Sequence, residues 1–379
     1  MMMKEVFLVS DNIISPLGVN TAENFLMLKN GASGVKEQQL PEVSSVPFYA
    51  SLFSDETALL KDENNTYTKF ELLLIASIQD ALKNSAVSPS DKKTILIISS
   101  TKGNISLLEN APMNDALKKR IALHTSAKLV GEYFKCSNMP VVISNACISG
   151  SLALITAKRL IQSGQYDHAI VAGADTISKF ILSGFQSFQA ISNALCKPFD
   201  ANRTGINLGE GAATIILSEN AAFSNGIKIT GGATSNDANH ISGPSRTGEE
   251  LCIAITKAMQ EAKVSSSAID YISAHGTATI YNDEMEAQAI TLAGLQSVST
   301  NSLKGYYGHT LGAAGLIESV VAVHSLKENM VLPSIGFETM GVSTPINISA
   351  GLQNQTLNNC LKTASGFGGC NAAIIFGKA

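Results

Sequence analysis

The residue with the clearest capacity for chemistry is Cys147, in the segment Val-Val-Ile-Ser-Asn-Ala-Cys-Ile-Ser-Gly. Residues 141–143 predict a buried strand, and residues 148–162 predict a buried helix that ends near Gly164, before a second strand from His168. A cysteine at a helix N-terminus faces unpaired N–H groups and the positive end of the helix dipole. These stabilise a thiolate, lower the thiol pKa and can hold an oxyanion. The position favours a nucleophile, although most intracellular cysteines are small core residues.

Two histidines lie at predicted junctions between a strand and a helix. His275 occurs in Tyr-Ile-Ser-Ala-His-Gly-Thr-Ala-Thr, and His309 in Gly-Tyr-Tyr-Gly-His-Thr-Leu-Gly. Between them, Asp283 and Glu286 share a helix face, one turn apart. Lys304 could pair with Glu286 and so fix the loop that carries His309, whereas an ordinary surface pair is the alternative. The remaining histidines lack such settings and are predicted to be structural or surface residues: His124, His168, His240 and His324.

Length and composition limit the possible classes of protein. A chain of 379 residues favours two similar units or one large layered domain. A net charge of −4 and a pI near 5.9 disfavour nucleic acid as the main partner. Six cysteines without CxxC or zinc spacing indicate reduced thiols. Because the N-terminal apolar run is too short for a signal peptide and no stretch could span a bilayer, the sequence predicts a cytoplasmic protein with no membrane partner.

Predicted strands alternate with predicted helices, and this alternation is typical of an α/β architecture. The chain is predicted to consist of two halves. The N-terminal half, 1–225, contains the cysteine, and the C-terminal half, 226–379, contains both histidines. The predicted strands are 5–9, 94–99, 141–143, from 168, from 226, 269–274, 298–300, near 346 and 371–376. The predicted helices are 21–28, 70–82, 148–162, 248–262, 283–292 and 312–327.

Five motifs, in order and spacing, resemble the elongating β-ketoacyl-acyl carrier protein synthases, and the match covers nearly the whole chain. The resemblance implies a thiolase-like fold, in which two βαβαβ-type halves stack as a five-layer α-β-α-β-α structure, usually in a homodimer. The motifs are Ala-Cys147-Ile-Ser-Gly; Pro198-Phe-Asp with Arg203 and Gly209-Glu-Gly-Ala; His275-Gly-Thr-Ala-Thr with Asp283 and Glu286; Lys304 with Gly308-His309-Thr-Leu-Gly-Ala-Ala-Gly; and Gly366-Phe-Gly-Gly-Cys-Asn371.

The family's roles carry over by position. Cys147 is expected to take the acyl chain as a thioester, and His275 and His309 to assist decarboxylation of a malonyl thioester, whose enolate attacks that thioester. The backbone N–H groups of Cys147 and Phe367 resemble an oxyanion hole, and Phe367 resembles a gate between the two half-reactions. The resemblance places Lys304 in the catalytic set, where it supports the histidines, and gives supporting roles to Asp283 and Glu286. It implies no metal and no cofactor, since the substrates are carried on the phosphopantetheine of acyl carrier protein.

The acidic carrier protein is expected to rest on cations near the pocket. Attraction of this kind acts on the encounter rate and is screened by salt. The candidate cations are Arg203, Lys118, Lys119 and Arg120, with Lys69 weaker; the run 118–120 could instead be a solvated helix face.

The chain also departs from the family pattern. Residues 101–135 are fewer than in typical fatty-acid elongases, and Ser-Asn-Ala precedes the cysteine. These features indicate a specialised pathway, such as a polyene or another lipid-like product. Two alternatives remain open: a non-catalytic partner that determines chain length in an active synthase, and a thiolase-like acyltransferase that uses coenzyme A. Such partners lose the cysteine, and thiolases carry a second catalytic cysteine; Cys370 is assigned a structural role here.

Overall fold

The computed structural model describes residues 4–54, 57–62, 64, 66–109, 111–239, 241 and 243–379. It confirms the predicted α/β class. The strands are β1 (Phe7–Ile14), β2 (Lys36–Gln38), β3 (Phe48–Ser51), β4 (Thr94–Ser99), β5 (Val141–Ile143), β6 (His168–Asp175), β7 (Leu208–Gly209), β8 (Gly211–Ser218), β9 (Ile227–Asn236), β10 (Tyr271–Ala274), β11 (Ser299–Ser302), β12 (Met330–Val331), β13 (Gln353–Asn354), β14 (Asn359–Gly366) and β15 (Cys370–Lys378). The helices are α1 (Thr21–Lys29), α2 (Lys69–Lys83), α3 (Asp115–Ile121), α4 (Leu123–Tyr133), α5 (Ser149–Gln162), α6 (Lys179–Ser187), α7 (Glu249–Ala262), α8 (Ile280–Leu292), α9 (Lys304–Tyr307) and α10 (Ala314–Glu328).

The main sheet contains the same strand arrangement twice. Its order is β11-β10-β14-β15-β9-β1-β8-β6-β4-β5. In one half, β1, β8 and β6 pair antiparallel in turn, and β6, β4 and β5 pair parallel. In the other half, β9, β15 and β14 pair antiparallel, and β14, β10 and β11 pair parallel. The halves meet where Phe7 of β1 pairs with Lys228 of β9.

Helices on both faces of the sheet produce the layered structure. Helix α2 packs on β1, β6 and β8, whereas α7 packs on β9 and β15. Helices α5 and α10 contact each other and strands of both halves, so they form the middle layer. Both are buried on most sides, and this explains why apolar and small residues are spread around each helix instead of forming one narrow stripe. Among the described residues, no helix has the length and apolarity that crossing a membrane requires.

The first turns of α5 and α10 approach each other backbone to backbone. A Cβ atom at Gly150 would lie 2.7 Å from the Leu316 nitrogen, and one at Gly315 would lie 2.5 Å from the Ser151 nitrogen. Only glycine permits this approach, because any side chain would force the helices apart. The contact joins the start of the cysteine helix to the helix that follows His309, and it therefore brings the two halves of the site together.

Two strand predictions were wrong. The polar run Ser10-Asp11-Asn12 was expected to end the first strand, but β1 continues to Ile14 through a register shift between Leu8 and Ser10. Near residue 346 no regular strand forms among the described residues; Ile348 makes an isolated bridge to Thr300 instead. The strand of this region is β14, at 359–366, where a lysine had weakened the apolar pattern.

Candidate active site

Cys147 lies in the turn between β5 and α5, as predicted. Ala146 has a left-handed φ of 43°, an uncommon conformation for a residue with a side chain. The Ser149 hydroxyl accepts from the Asn145 N–H at 2.8 Å and donates to the Ala146 carbonyl at 2.7 Å. These bonds hold the turn that aims the thiol into the pocket. Cys147 itself is 8% exposed.

The expected lowering of the Cys147 pKa was wrong. Burial, with a smaller contribution from the neighbouring Cys370, raises the pKa of Cys147 to about 12. Lys304, Lys102 and the Phe367 N–H act in the opposite direction but do not compensate. The thiol is therefore protonated at neutral pH, and any nucleophilic attack by the sulfur would require a base that takes its proton.

His275 is held through its backbone by a buried carboxylate. The N–H groups of His275 and Gly276 donate to the two oxygens of Glu286 at 2.8 and 2.7 Å. The Thr363 hydroxyl donates to the same carboxylate at 2.6 Å. Asp283 accepts from the Thr277 N–H at 2.9 Å, and burial raises the pKa of Asp283 to about 7. Both predicted supporting carboxylates thus lie under the His275 loop.

His309 is fixed by pairing with β7. Its N–H donates to the Asn207 carbonyl at 2.7 Å, and its carbonyl accepts from the Gly209 N–H at 3.0 Å. The two catalytic-site imidazoles lie at right angles to each other, with ring centroids 5.3 Å apart and an interplanar angle of 82°. One loop from each half of the chain therefore positions His309.

The predicted ion pair between Lys304 and Glu286 does not form. Lys304 instead pairs with Glu318 of α10 and donates to the His275 carbonyl at 3.0 Å. A second buried lysine, Lys362 of β14, lies 2.8 Å from Glu318. Sequence reasoning missed Glu318 and Lys362. The available signal was one charged residue in the middle of each element, among apolar and small neighbours.

Removing the Glu318 carboxylate should strongly destabilise the protein. Glu318→Gln would leave the ammonium groups of Lys304 and Lys362, whose side chains are 0% exposed, without their shared counter-charge. Breaking such a buried pair typically costs about 3–5 kcal/mol. We expect the free energy of unfolding, measured by chemical denaturation, to fall by about this amount.

Glu328→Gln, at the exposed end of the same helix, is the matched control. Glu328 pairs with Lys29 at 3.0 Å and its side chain is 40% exposed. Surface pairs of this kind contribute about 0–1 kcal/mol. Equal denaturation midpoints for the two variants would contradict the central role of Glu318.

Both imidazoles of the pocket are neutral at ordinary pH. Burial, and then the positive charge of Lys304, hold the pKa of His275 and that of His309 well below the usual range. The Nδ1 atoms of both rings and Nε2 of His309 have no hydrogen-bond partner among the residues that the structure describes. Neutral imidazoles with free nitrogens can accept a proton or donate one hydrogen bond to a substrate oxygen.

Three of the four predicted catalytic residues, Cys147, His275 and His309, meet in one pocket, and Lys304 is not among its lining residues. The Cys147 sulfur and ring nitrogens of His275 and His309 all lie within 4.8 Å of one another. They line a cavity of about 390 Å³ together with Phe367 at its mouth. The Phe367 N–H points at the Cys147 sulfur, where it acts to lower the thiol pKa. The oxyanion hole formed by the N–H groups of Cys147 and Phe367 stays a prediction.

The same donor set bears on the prediction that the site holds no metal. One cysteine and two histidines are ligands that Zn²⁺ accepts, with a fourth position left open. Both imidazoles and the thiol are unpaired donors, so a zinc ion would fit the residues. The protonated thiol and free imidazoles equally suit covalent acyl chemistry, and the absence of a required metal stays a prediction.

The structure contradicts part of the predicted carrier-binding set. Arg203 is buried, donates to the Asp200 and Gly341 carbonyls at 2.9 and 2.7 Å, and lies 3.9 Å from Asp283. It braces the loops behind the pocket and cannot meet a carrier. Arg120 lies against buried Glu71 with two 2.5 Å contacts.

The remaining predicted cations lie nearer the surface. Lys69 is 40% exposed but pairs with the buried Glu210 at 2.6 Å. Lys118 is 61% exposed and pairs with Asp115 at 3.3 Å. Lys119 is exposed and makes no ion pair with the described part of the chain. Lys118 and Lys119 are therefore the members of the set that a partner could reach.

The residues assigned structural roles have local partners. His168 bonds Ser218 at 2.9 Å, and His324 bonds Asp11 at 2.9 Å. His124 is exposed, and His240 lies outside the described residues. Cys370 is buried beside the site, with its sulfur 3.8 Å from the Asn145 carbonyl.

Comparison with known proteins finds relatives along the chain. The family described as "Beta-ketoacyl synthase, N-terminal domain" matches residues 3–222, and "Beta-ketoacyl synthase, C-terminal domain" matches residues 227–338. The 3-oxoacyl-[acyl-carrier-protein] synthase 2 of Rhizobium meliloti (strain 1021) is 28% identical over 98% of either chain. A β-ketoacyl synthase structure from Burkholderia phymatum STM815 is 25% identical over 100% of each chain, with a TM-score of 0.89. A chain of the structure titled "Ketosynthase (ApeO) in Complex with its Chain Length Factor (ApeC) from Xenorhabdus doucetiae" is 25% identical, with a TM-score of 0.84 over 99% of this chain and 98% of that one.

Proposed function

The chain belongs to the β-ketoacyl synthase family and is a condensing enzyme of the acyltransferase class, and we propose that Cys147, His275 and His309 form its catalytic centre. The observation that carries this proposal is the meeting of one thiol and two neutral imidazoles within 4.8 Å, inside a pocket. Thiolate is both a good nucleophile and a good leaving group, and chain extension needs both properties.

In the first half-reaction, the Cys147 sulfur attacks the carbonyl carbon of an acyl thioester. A neutral imidazole takes the thiol proton, because the raised thiol pKa leaves little free thiolate. The oxyanion that forms is held by the N–H groups of Cys147 and Phe367. The carbon–sulfur bond to the donor then breaks, the donor thiol leaves with a proton, and the acyl chain remains on Cys147.

In the second half-reaction, the malonyl carboxylate leaves as carbon dioxide. The electron pair of the broken carbon–carbon bond passes into an enolate, whose oxygen accepts hydrogen bonds from His275 and His309. The enolate carbon attacks the Cys147 thioester and expels the Cys147 thiolate. The product is a 3-oxoacyl thioester two carbons longer. The lowered pKa of both imidazoles supports this step. Neutral imidazoles donate hydrogen bonds to the enolate oxygen without holding the malonyl carboxylate in an ion pair, so the carboxylate can leave as carbon dioxide.

Acyl carrier protein is the proposed donor of both substrates, with its phosphopantetheine arm entering at Phe367. The proposed docking cations are Lys118 and Lys119, since both are exposed. No cofactor is proposed, and the reduced state of the six cysteines suits a cytoplasmic location.

A dimer is the proposed assembly. Strand β5 ends the main sheet, and its three residues, Val141–Ile143, are apolar and only half-buried. An apolar edge strand of this kind is a template for pairing with another chain. A second copy is the proposed partner, and a related subunit is the alternative.

The non-catalytic chain-length partner is disfavoured because the cysteine and both histidines are assembled in the pocket. The short 101–135 segment, which carries α3 and α4, supports a specialised polyketide-like product over primary fatty-acid elongation.

Reconstitution tests this proposal. The purified chain, incubated with acyl-carrier and malonyl-carrier, should form a 3-oxoacyl-carrier two carbons longer, which mass spectrometry identifies. The carrier-dependent KM should rise with salt, because exposed charges are screened. Size-exclusion chromatography of the same sample reports the dimer.

No product from any acyl-carrier, with the chain alone or with a related subunit, would contradict the condensing function. Product only with coenzyme A thioesters would favour the thiolase-like acyltransferase. Activity only with a second, related subunit would replace the homodimer by a heterodimer.

A further inference from the structure

Five aromatic rings form a continuous line from the catalytic pocket to the surface. The rings of His275 and His309 are 5.3 Å apart, and Phe185 lies edge-on to His309 at 6.4 Å. Phe367 lies 5.7 Å from Phe185, and Phe188 lies 5.1 Å from Phe367. The Phe367 ring is thus packed between one ring that faces the histidines and one that faces solvent.

The backbone and the side chain of Phe367 are held by different contacts. On the backbone side, the Gly368 N–H donates to the Ile241 carbonyl at 2.7 Å, and the Gly369 carbonyl accepts from the Asp237 N–H at 2.7 Å. The ring is held by its contacts with the two phenylalanines. Gly368 has a φ of 86° and open space around it, so the segment can change conformation next to the ring.

Phe188 is placed at the pocket mouth by the end of α6. The Gln189 N–H donates to the Gln186 carbonyl at 2.9 Å, and Gln189 has a left-handed φ of 53°. This tight turn projects Phe188 over Phe367. Phe188 remains 53% exposed, although a large apolar side chain gains most when it is buried. Phe188 lines the pocket, and its aromatic partner there is Phe367.

We propose that Phe188 is a positioning residue that holds the Phe367 ring closed over Cys147 and so sets how often the pocket opens. The inference rests on the proposed function only in that condensation requires the pocket to open for each thioester. Phe185 contributes to the same packing but also touches His309, so its removal would disturb the catalytic centre. The Phe188 ring packs on the Phe367 ring and on neither histidine ring, so its removal separates the two effects.

The test is the rate at which Cys147 is alkylated, followed by peptide mass spectrometry and requiring neither carrier nor malonyl substrate. An aromatic pair adds about 0.5–1.5 kcal/mol beyond its burial, which corresponds to roughly twofold to tenfold in an equilibrium constant. Phe188→Ala should therefore accelerate alkylation of Cys147 by about that factor, more for a bulky maleimide than for iodoacetamide. Phe188→Tyr, which retains a ring, should stay near the wild-type rate.

Two controls separate gating from general loosening. Phe180→Ala removes a phenylalanine of α6 that is about as exposed as Phe188, at 55%, and is not among the lining residues of the pocket. It should leave the Cys147 rate unchanged. Within each sample, the alkylation rate of half-buried Cys136 should also stay constant. Wild-type Cys147 rates in Phe188→Ala, alongside acceleration in Phe367→Ala, would overturn the proposal. So would equal acceleration of Cys136 and Cys147. The alkylation assay does not measure condensation, so its result can be interpreted even if the proposed function is wrong.

Discussion

His275→Ala and His309→Ala should each lower malonyl decarboxylation by about 10² to 10³ while acyl transfer to Cys147 stays measurable. The enolate oxygen loses one of its two hydrogen-bond donors in each variant, and such a loss typically costs about 3–4 kcal/mol. Acyl transfer depends mainly on the sulfur and the two backbone N–H groups, and one imidazole remains to accept the thiol proton. Carbon dioxide release and transfer of a labelled acyl group, measured on the same preparations, separate the two steps.

His124→Ala is the matched control, because His124 is an exposed histidine on α4. It should leave both rates unchanged. Full carbon dioxide release from both pocket variants would contradict the proposed role of the histidines. Loss of acyl transfer alone would instead assign them to activation of the thiol.

The local motifs identified the three candidate residues, and the family resemblance of those motifs predicted that the residues meet. Cys147, His275 and His309 each stand at a break between a strand and a helix, with small neighbours that the sequence reveals directly. Their meeting depends on Gly150 and Gly315, which let two helix ends touch. The resemblance to the β-ketoacyl synthases predicted that these residues lie together, because no local sequence pattern encodes a contact between residues more than a hundred positions apart.

The electrostatics of the site could not be predicted from local structure. A helix N-terminus stabilises a thiolate, but the depth of burial around Cys147 has the larger effect and raises its pKa. Burial is a property of all the elements packed around the turn, including the Phe367 loop from the other half. The same reason explains why Arg203 looked like a docking cation and is instead enclosed by protein.

The sequence also did not predict which residues pair with the buried charges. Lys304 was assigned to Glu286 because both are near the histidines in sequence, whereas the structure pairs it with Glu318, fourteen residues later on α10. Lys362 interrupts β14 and obscured that strand altogether. The repeated strand order of the two halves was also invisible, because the repeat is one of topology and leaves no visible identities.

Cys147→Ala should abolish acylation and condensation completely, the largest effect expected of any substitution. No other group of the pocket combines a nucleophile with the N–H groups of Cys147 and Phe367. Cys370 is the nearest alternative, but its sulfur lies beside the Asn145 and Phe367 carbonyls, at 3.8 and 3.6 Å. Carbonyl oxygens there would repel the oxyanion of an attacked thioester. Cys370→Ala should therefore acylate like the wild type.

Mass spectrometry of the acylated protein tests the central assignment most directly. Wild-type protein and Cys370→Ala, incubated with an acyl-carrier in the absence of malonyl substrate, should each gain the mass of one acyl group, located on the peptide that contains Cys147. Cys147→Ala should gain none. An acyl adduct on Cys147→Ala, or one on the Cys370 peptide of the wild type, would contradict the account.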